Sequence, residues 1–501
     1  MARLDFFPDL QTAQSHLGRG NAVPLGLKLH KSFPPQVLFN QLKNRRFPFL
    51  LESARHHPTT GRYSFLGADP YFLVTTKGDQ VLAGSPGELM EQKTNPLEVL
   101  RRALGKTTAV AFDQLPPFIG GAVGLVGFDA PRYWGRWPTN QLEPTSLPDF
   151  VWGFYETVVA LDHTKNETWV LTRMLPQGDS TQQYLDAAKR LETWASWFEG
   201  DLNLPDPQWS PSECSITQEL EPHDFEEMVQ RAKEWIADGE IYQANLSLQL
   251  QAKMPTGAWD LYRRLQKINP SPFSAFFDAG DFQLVSASPE RLVRTVGQRV
   301  ETRPIAGTRP KTGKSRVDQG LTKQLMANPK ERAEHLMLVD LERNDLGRVC
   351  RYGSVKVDEL MILEAYSHVF HIVSNVCGQL ETNRDWADVI QAMFPGGTIT
   401  GCPKLRSIEC ITQLEPVRRG FYTGSIGYVS FTGAMDFNII IRSALVAEGQ
   451  VTVQAGAGIV ADSDPTREYE ESLQKAKALL VALQGETSID EHHTAAAAVV
   501  R

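Results

Sequence analysis

Cysteine is scarce in this chain: five in 501 residues, Cys214, Cys350, Cys377, Cys402 and Cys410, with no CxxC pair. Such usage points away from a disulfide framework and toward reduced, mostly buried thiols of a cytoplasmic protein. No uninterrupted apolar run approaches ~18 residues, so no membrane span is expected. The start, Met1-Ala-Arg-Leu-Asp-Phe-Phe-Pro8, lacks the apolar core of a signal peptide. There is no basic block, and the net charge is −8, so neither a nucleic-acid nor an anionic-membrane partner is indicated. No internal repeat is present.

What is there is ordinary globular material. Hydrophobic residues make up 42 % and charged residues 22 %, enough to build a large core. Residues 1–200 read as a β-rich region, a candidate regulatory or partner-contact half. Its strands are expected at 47–53, 63–67, 71–76 and 118–127, with two alternating strands over 151–170 and a helix near 182–198. Residues 201–218, rich in Pro, Ser and Asp, read as a linker or surface loop. Residues 219–485 carry most of the motifs, and the tail 486–501 is expected to be disordered. Strands are expected at 240–249, 282–288, 292–295, 354–357, 368–376, 422–431, 436–446 and 451–458. Helices are expected at 223–236, 330–344 and 467–483. Runs of strands punctuated by single helices predict an α+β fold with large, mostly antiparallel sheets.

Phe394-Pro-Gly-Gly-Thr-Ile-Thr-Gly-Cys-Pro-Lys404 precedes apolar residues at helical spacing, Leu405, Ile408, Ile411 and Leu414. It reads either as a tight connection that needs glycine for its backbone angles or as an anion cradle at a helix start. Glu331 and Glu334 share one helix face, and Glu468 and Glu471 share another. Such pairs are either solvated surface or, on facing helices, oxygen ligands for Mg²⁺. Thr302-Arg-Pro-Ile-Ala-Gly-Thr-Arg309 and Ala455-Gly-Ala-Gly-Ile459 offer small residues that could cradle a carboxylate. Arg442, expected on a strand between isoleucines, needs an anionic partner, internal or bound. His371 lies between Phe370 and Ile372, either as a core histidine or as a catalyst. Together these features predict a pocket for a small acid bearing carboxylates, with Mg²⁺ offsetting the charge.

In their order along the chain, Pro304-Ile-Ala-Gly-Thr308, Ala333-Glu-His335, Val339-Asp-Leu-Glu-Arg-Asn-Asp345, the Gly396 loop and Gly456-Ala-Gly-Ile-Val-Ala-Asp462 resemble the chorismate-utilising enzymes. The resemblance spans about residues 7–485. It implies the family's large α/β sandwich, two mostly antiparallel sheets enclosed by helices, with the site between them. It also implies roles. Glu334 and Glu471 match Mg²⁺ ligands, supported by Glu331 and Glu468. Gly307 and Thr308 match donors to the ring carboxylate of chorismate, with Lys475 nearby. Tyr422, Arg442 and the Gly456-Ala457-Gly458 backbone match the site of the enolpyruvyl carboxylate. Thr398 lies against the substrate beside His371, and Glu290 matches the general acid for the departing C4 hydroxyl.

Within the family, isochorismate and salicylate synthases carry a lysine base where this chain has Gln243, which implies ammonia rather than water as nucleophile. The loop spelling, Tyr242-Gln-Ala-Asn-Leu246 and Met435-Asp-Phe-Asn-Ile439 are similar to aminodeoxychorismate synthase component I. The segment Asn269-Pro270-Ser-Pro-Phe273-Ser274-Ala275 also lacks the Pro-Tyr-Met of anthranilate synthases. The expected product is therefore 4-amino-4-deoxychorismate, with anthranilate as the alternative. Two features favour that alternative: Ala306, where many aminodeoxychorismate synthases have lysine, and Leu50-Leu-Glu52-Ser53. The latter resembles a tryptophan-binding segment and, with Asn269, Pro270, Phe273 and Ser274, marks a candidate inhibitor site. With no Gly-x-Cys-x-Gly elbow in the chain, the resemblance implies a separate glutamine amidotransferase subunit as the source of ammonia. A catalytically inactive regulatory subunit is a further reading. The presence of Glu290, Glu334 and Glu471 argues against it.

Overall fold

The computed structural model describes residues 5–485 except 55–60, 106–107, 136, 139–141, 143–145, 209–214, 255, 312 and 366–368. Cys214, the 486–501 tail and most of the expected linker's Ser-Pro stretch therefore lie outside the described residues.

The described strands form two large sheets, of 13 and 12 strands, and their strand pairs are antiparallel. The first runs from Asp5–Phe7 through Val23–Lys28, Glu167–Met174, Val158–Asp162, Tyr63–Gly67, Phe49–Glu52, Phe273–Asp278, Phe282–Ser288, Ser443–Ala447, Gln450–Ile459 and Gln243–Lys253 to Ile216–Gln218. The second runs from Ile305–Pro310 through Val369–Gln379, Arg299–Thr302, Arg291–Val296, Met435–Asn438, Ser425–Ser430, Gly121–Val126, Phe150–Tyr155 and Phe72–Lys77 to Gln80–Ser85 and Glu88–Gln92. Each sheet takes strands from both sides of residues 201–218. Ile216–Gln218, expected to be linker, is instead an edge strand on Gln243–Lys253.

One apolar core lies between the sheets and a second lies under the helices on the outer face of the first sheet. Neighbours on a strand point to opposite faces. Phe49 enters the inner core and Leu50 the outer one, and both are fully buried. A strand covered on both faces has no polar positions to alternate with. That accounts for two corrections over 150–174. The segment forms three strands, Phe150–Tyr155, Val158–Asp162 and Glu167–Met174, where two were expected, and they are buried almost throughout rather than alternating.

A third correction bears on function. The expected strand at 436–446 is two strands in different sheets, Met435–Asn438 in the second and Ser443–Ala447 in the first. Arg442 is therefore not on a strand. It sits in the link that carries the chain from one sheet to the other, with φ of 53°. Left-handed backbone is unfavourable for a long side chain, so this crossing holds Arg442 in a costly conformation. Among the described residues no helix is long and apolar enough to cross a membrane.

Candidate active site

Two crossings between the sheets lie side by side. The first, between Phe282–Ser288 and Arg291–Val296, contains Glu290. The second contains Arg442. They are stitched together by Ile439 N–H donating to the Glu290 carbonyl (3.1 Å) and Ala287 N–H donating to the Arg442 carbonyl (3.1 Å). Backbone topology thus fixes a carboxyl and a guanidinium at the same gap in the sandwich.

Glu290 is 6 % exposed. Burial pushes its carboxyl up to about 7, against opposing influences from the Thr398 hydroxyl, the Ile305 backbone and the Lys475 charge. The Thr398 hydroxyl is itself buried and makes no hydrogen bond of full geometry. It lies beside Glu290, close enough to favour the carboxylate form. A carboxyl that titrates near neutrality can hold a proton and release it within one pH range, as a general acid requires.

The glycine loop leads into the expected helix, and of the two readings of its glycines the tight connection is the one seen. It links the helix Trp386–Met393 to the helix Lys404–Leu414 through a short turn, Gly397–Ile399, and Gly401–Cys402 pairs with Gln243 and Ala244. The helix begins only at Lys404, and its cap, Pro403, makes no side-chain bond. The loop's glycines serve close packing instead. A Cβ on Gly397 would meet the Leu341 side chain and lie 3.2 Å from Glu342 Oε1.

The helices Pro329–Gly347 and Pro465–Leu483 bring the four predicted glutamates within electrostatic reach of one another. Glu334 is raised by burial, then by the charges of Glu331 and Glu471; Glu468 is raised by burial and by Glu471. Glu471 is instead lowered, chiefly by Lys475, whose Nζ is 2.8 Å away. Glu331 accepts from Arg309 (3.0 Å), and Glu334 Oε1 accepts from Gln243 Nε2 (3.2 Å). Among the described residues no group of three or more His, Cys, Asp or Glu side chains is close enough to cage a metal. Mg²⁺ does not require such a cage, because it keeps several waters and is commonly held by one or two carboxylates plus the substrate. The donor set is all oxygen, and a cation would relieve the mutual repulsion that raises Glu334 and Glu468. These residues fit the ion.

Around this face lie the remaining predicted residues. Lys475 Nζ also donates to the Gly456 carbonyl (2.9 Å). Gly458 presses against the Gln243 amide, where any Cβ would collide with Nε2. Gln243 is buried, and its Oε1 has no partner. Ala457 is fully buried on the same strand. Gly307 has φ of 71°, and a Cβ there would lie 2.7 Å from Glu331 Oε2. Thr308 pairs in register with His371, and Ala306 with Ile372.

His371 Nδ1 lies 3.3 Å from the Gly307 carbonyl oxygen. That oxygen can only accept, so Nδ1 carries the proton. Burial and the Arg442 charge hold the imidazole down at about 4, so it is neutral at pH 7. Tyr422 is raised by burial, and Arg442 is lowered by burial while the Tyr422 and Glu471 charges favour its charged form. Among the described residues Arg442 makes no ion pair, which leaves its guanidinium available to an anion entering the gap.

The candidate inhibitor residues gather elsewhere. Glu52, Ser53, Phe273 and Ser274 line a cavity of about 710 Å³ between the sheets, together with Arg291 and Tyr428. None of the predicted catalytic or metal-binding residues lines it. Asn269 and Pro270 do not line it either; Asn269 ends the helix Ala258–Ile268. Glu52 is tied to the Tyr262 hydroxyl (2.6 Å).

Sequence reasoning passed over Glu342, Asp345 and Lys404. Glu342 and Asp345 are 3 % exposed, and Asp345 pairs with Lys404. The i, i+3 carboxylate spacing that flagged Glu331 and Glu334 recurs at Glu342 and Asp345 on the same helix and could have found them.

Comparisons with known proteins identify the family and the fold. A family model described as chorismate binding enzyme matches residues 47–481. An anthranilate synthase component 1 from Acetivibrio thermocellus is 37 % identical over 487 residues, covering 96 % of this chain and 99 % of that one. An aminodeoxychorismate synthase component 1 from Bacillus subtilis is 40 % identical over 443 residues, covering 88 % and 93 %. Among solved structures, anthranilate synthase component I from Streptococcus pneumoniae aligns with a TM-score of 0.72 at 33 % identity, covering 85 % of this chain and 93 % of that one. The menaquinone-specific isochorismate synthase of Escherichia coli shares the fold, with a TM-score of 0.67 at 18 % identity over 95 % and 98 % of the two chains.

Proposed function

Because this chain belongs to the chorismate-binding enzymes, we propose that it aminates chorismate, giving 4-amino-4-deoxychorismate, with ammonia supplied by a separate glutamine amidotransferase subunit. The observation that carries amination is Gln243. A carboxamide cannot take a proton from water, so it cannot generate hydroxide as a nucleophile. Its buried Oε1 lacks a donor, and an ammonia N–H would supply one. Its Nε2 is held by Glu334, so the carbonyl oxygen is oriented.

Glu290 gives its proton to the C4 oxygen as the C4–O bond breaks, and the leaving group departs as water. Ammonia forms the new C–N bond at C4, and the resulting ammonium gives up one proton, which returns Glu290 to its protonated form. Arg442 and Tyr422 bind the enolpyruvyl carboxylate. His371, neutral, offers Nε2 as an acceptor. Thr398 faces both substrate and acid. Glu334 and Glu471, backed by Glu331 and Glu468, would hold Mg²⁺, which when bound supplies positive charge to the ring carboxylate. Gly307 and Thr308 offer backbone donors to the same group, and Lys475 adds charge beside it.

Amination at C4 is favoured by the Gly-Gly-Thr-Ile-Thr-Gly loop and by Met435-Asp-Phe-Asn. Ala306 favours the second reading, anthranilate and pyruvate, because it offers no nucleophile to C2. The test is product identification. With chorismate, Mg²⁺ and ammonium, the isolated chain should yield a compound that gives 4-aminobenzoate only after a lyase is added, and glutamine should not replace ammonium. Direct anthranilate fluorescence would select the second reading, and turnover of glutamine by this chain alone would remove the partner subunit.

Gln243→Ala should raise KM for ammonia about tenfold, the equivalent of one lost hydrogen bond of ~1.4 kcal/mol. An unchanged KM for ammonia would show that Gln243 does not contact the nucleophile.

A further inference from the structure

Arg419 has no part in the roles assigned above, yet all of its donors are engaged beside the site. It lies in the link between the helix Lys404–Leu414 and the strand Ser425–Ser430 and is 5 % exposed. A guanidinium carries five N–H donors in a fixed planar fork. Nε and one Nη2 hydrogen go to Glu415 (2.9 and 2.7 Å), itself buried at the end of that helix. The second Nη2 hydrogen goes to the Asn245 carbonyl. Nη1 donates to the Ile399 carbonyl (3.0 Å) and to the Thr423 hydroxyl (3.2 Å).

The last three acceptors belong to three separate segments of the site. Ile399 follows Thr398 in the glycine loop, Asn245 lies two residues beyond Gln243, and Thr423 follows Tyr422. The Thr423 hydroxyl donates in turn to the Tyr422 carbonyl (2.6 Å), and the Tyr422 ring centroid is 5.7 Å from the guanidinium carbon. Glu415 reaches a fourth segment. Its Oε1 accepts from the Ser247 N–H (2.9 Å) and hydroxyl (2.7 Å), and Gln454, two residues before Gly456, donates to that hydroxyl (3.1 Å).

We propose that Arg419, held by Glu415, is a positioning residue that sets the spacing between Gln243 on the ammonia side of the site and Tyr422 on the enolpyruvyl side, with Thr398 between them. This rests on the roles proposed above for Gln243 and Tyr422. Stability alone is a poor account of such a pair, because desolvation offsets the attraction of buried charges, and apolar side chains fill the same space at least as well. A planar fork with every donor used fixes distances between segments, which apolar packing does not. Lysine at 419 keeps the charge opposite Glu415 but puts its three donors on one nitrogen. It cannot reach Ile399, Asn245 and Thr423 together.

The test is steady-state kinetics of Arg419→Lys with ammonium and Mg²⁺. kcat should fall about tenfold or more, and KM for chorismate and KM for ammonia should both rise, each about threefold or more, because a displacement of about 1 Å at a reacting centre costs up to 10²-fold. The joint rise distinguishes Arg419 from Gln243, whose removal is expected to act on ammonia. A role in stability alone would lower Tm and leave both KM values where they were; that result in a folded Arg419→Lys protein would overturn the proposal. Should this variant fail to fold, Arg419→Met combined with Glu415→Gln leaves no unpaired buried charge and keeps an acceptor for Ser247. The pair should fold and show the same joint rise, and wild-type KM values in it would equally overturn the proposal. If the parent protein itself turns over no chorismate with ammonia, the proposed function fails, and calorimetry with chorismate and Mg²⁺ then reads the spacing directly. Chorismate should bind Arg419→Lys about threefold or more weakly than the parent, and equal affinity would remove the positioning role.

Discussion

Glu290→Gln should reduce kcat with ammonia by about 10³-fold, within the 10²–10⁴ range that a positioned general acid contributes. Hydroxide is a poor leaving group, and glutamine keeps the shape of the side chain but has no acidic proton to give. KM for chorismate should change only severalfold, because the proposed carboxylate contacts come from Arg442, Tyr422 and the glycine backbones. The pH dependence has a definite sign. Glu290 is raised from its ordinary 4.5 to about 7 by burial, and the protonated form is the active one. Activity attributable to it is therefore present below about 7 and declines as pH rises through that value. The folded state also binds this proton more tightly than the unfolded state does. Glu290 thus destabilises the fold progressively from about pH 4.5 to 7, by an amount on the order of 3 kcal/mol above that range. Glu290→Gln should accordingly raise Tm at pH 8 and leave it nearly unchanged at pH 4. Kinetics and thermal melts at the two pH values check both halves; full activity in the variant would remove Glu290 from the mechanism.

Glu334→Ala should lower kcat/KM at fixed Mg²⁺ by about 10²-fold or more, with the apparent Mg²⁺ affinity falling at least tenfold. Glu334, like Glu468, makes no ion pair among the described residues. Arg309 occupies Glu331 and Lys475 occupies Glu471, whereas Glu334 is met only by a neutral amide. Removing it also relieves Glu331 and Glu471 of a like charge, so the apo protein should not lose stability from electrostatics. The loss should therefore be seen in binding. The Mg²⁺-dependent rise in Tm expected of the parent should vanish in Glu334→Ala, a readout independent of turnover. Wild-type Mg²⁺ dependence in both Glu334→Ala and Glu471→Ala would remove the metal from this face.

Much of the site was legible because its residues are held by local spacing. Glu331 and Glu334, like Glu468 and Glu471, share a helix face by arithmetic. Gly307, Gly456 and Gly458 sit in short motifs whose small residues permit close approach. Arg442 was flagged by charge among isoleucines, yet its backbone was misjudged. A run such as Asn438-Ile-Ile-Ile-Arg-Ser443 has strand composition throughout, and nothing local marks the point where it leaves one sheet for the other. The fully buried strands over 150–174 were misread for a related reason, since alternation fails once both faces are covered. Glu342 was overlooked because its environment comes from distant segments: Gly397, Glu290 and Lys404 are 55, 52 and 62 positions away.

The sequence alone determined the family and the α+β class, and it singled out Glu290, the four helix glutamates and Gln243 as candidates, since these depend on residue type and short-range spacing. Only the tertiary structure decided that Glu290 and Arg442 occupy adjacent crossings between two sheets and that Gln243 is held by Glu334. It also decided that the glycine loop packs closely against the helix Pro329–Gly347, beside a second buried carboxyl, Glu342. Those facts arise from pairing and packing between segments from 55 to 155 positions apart, where burial and unpaired hydrogen-bonding groups, rather than local propensity, set the chemistry.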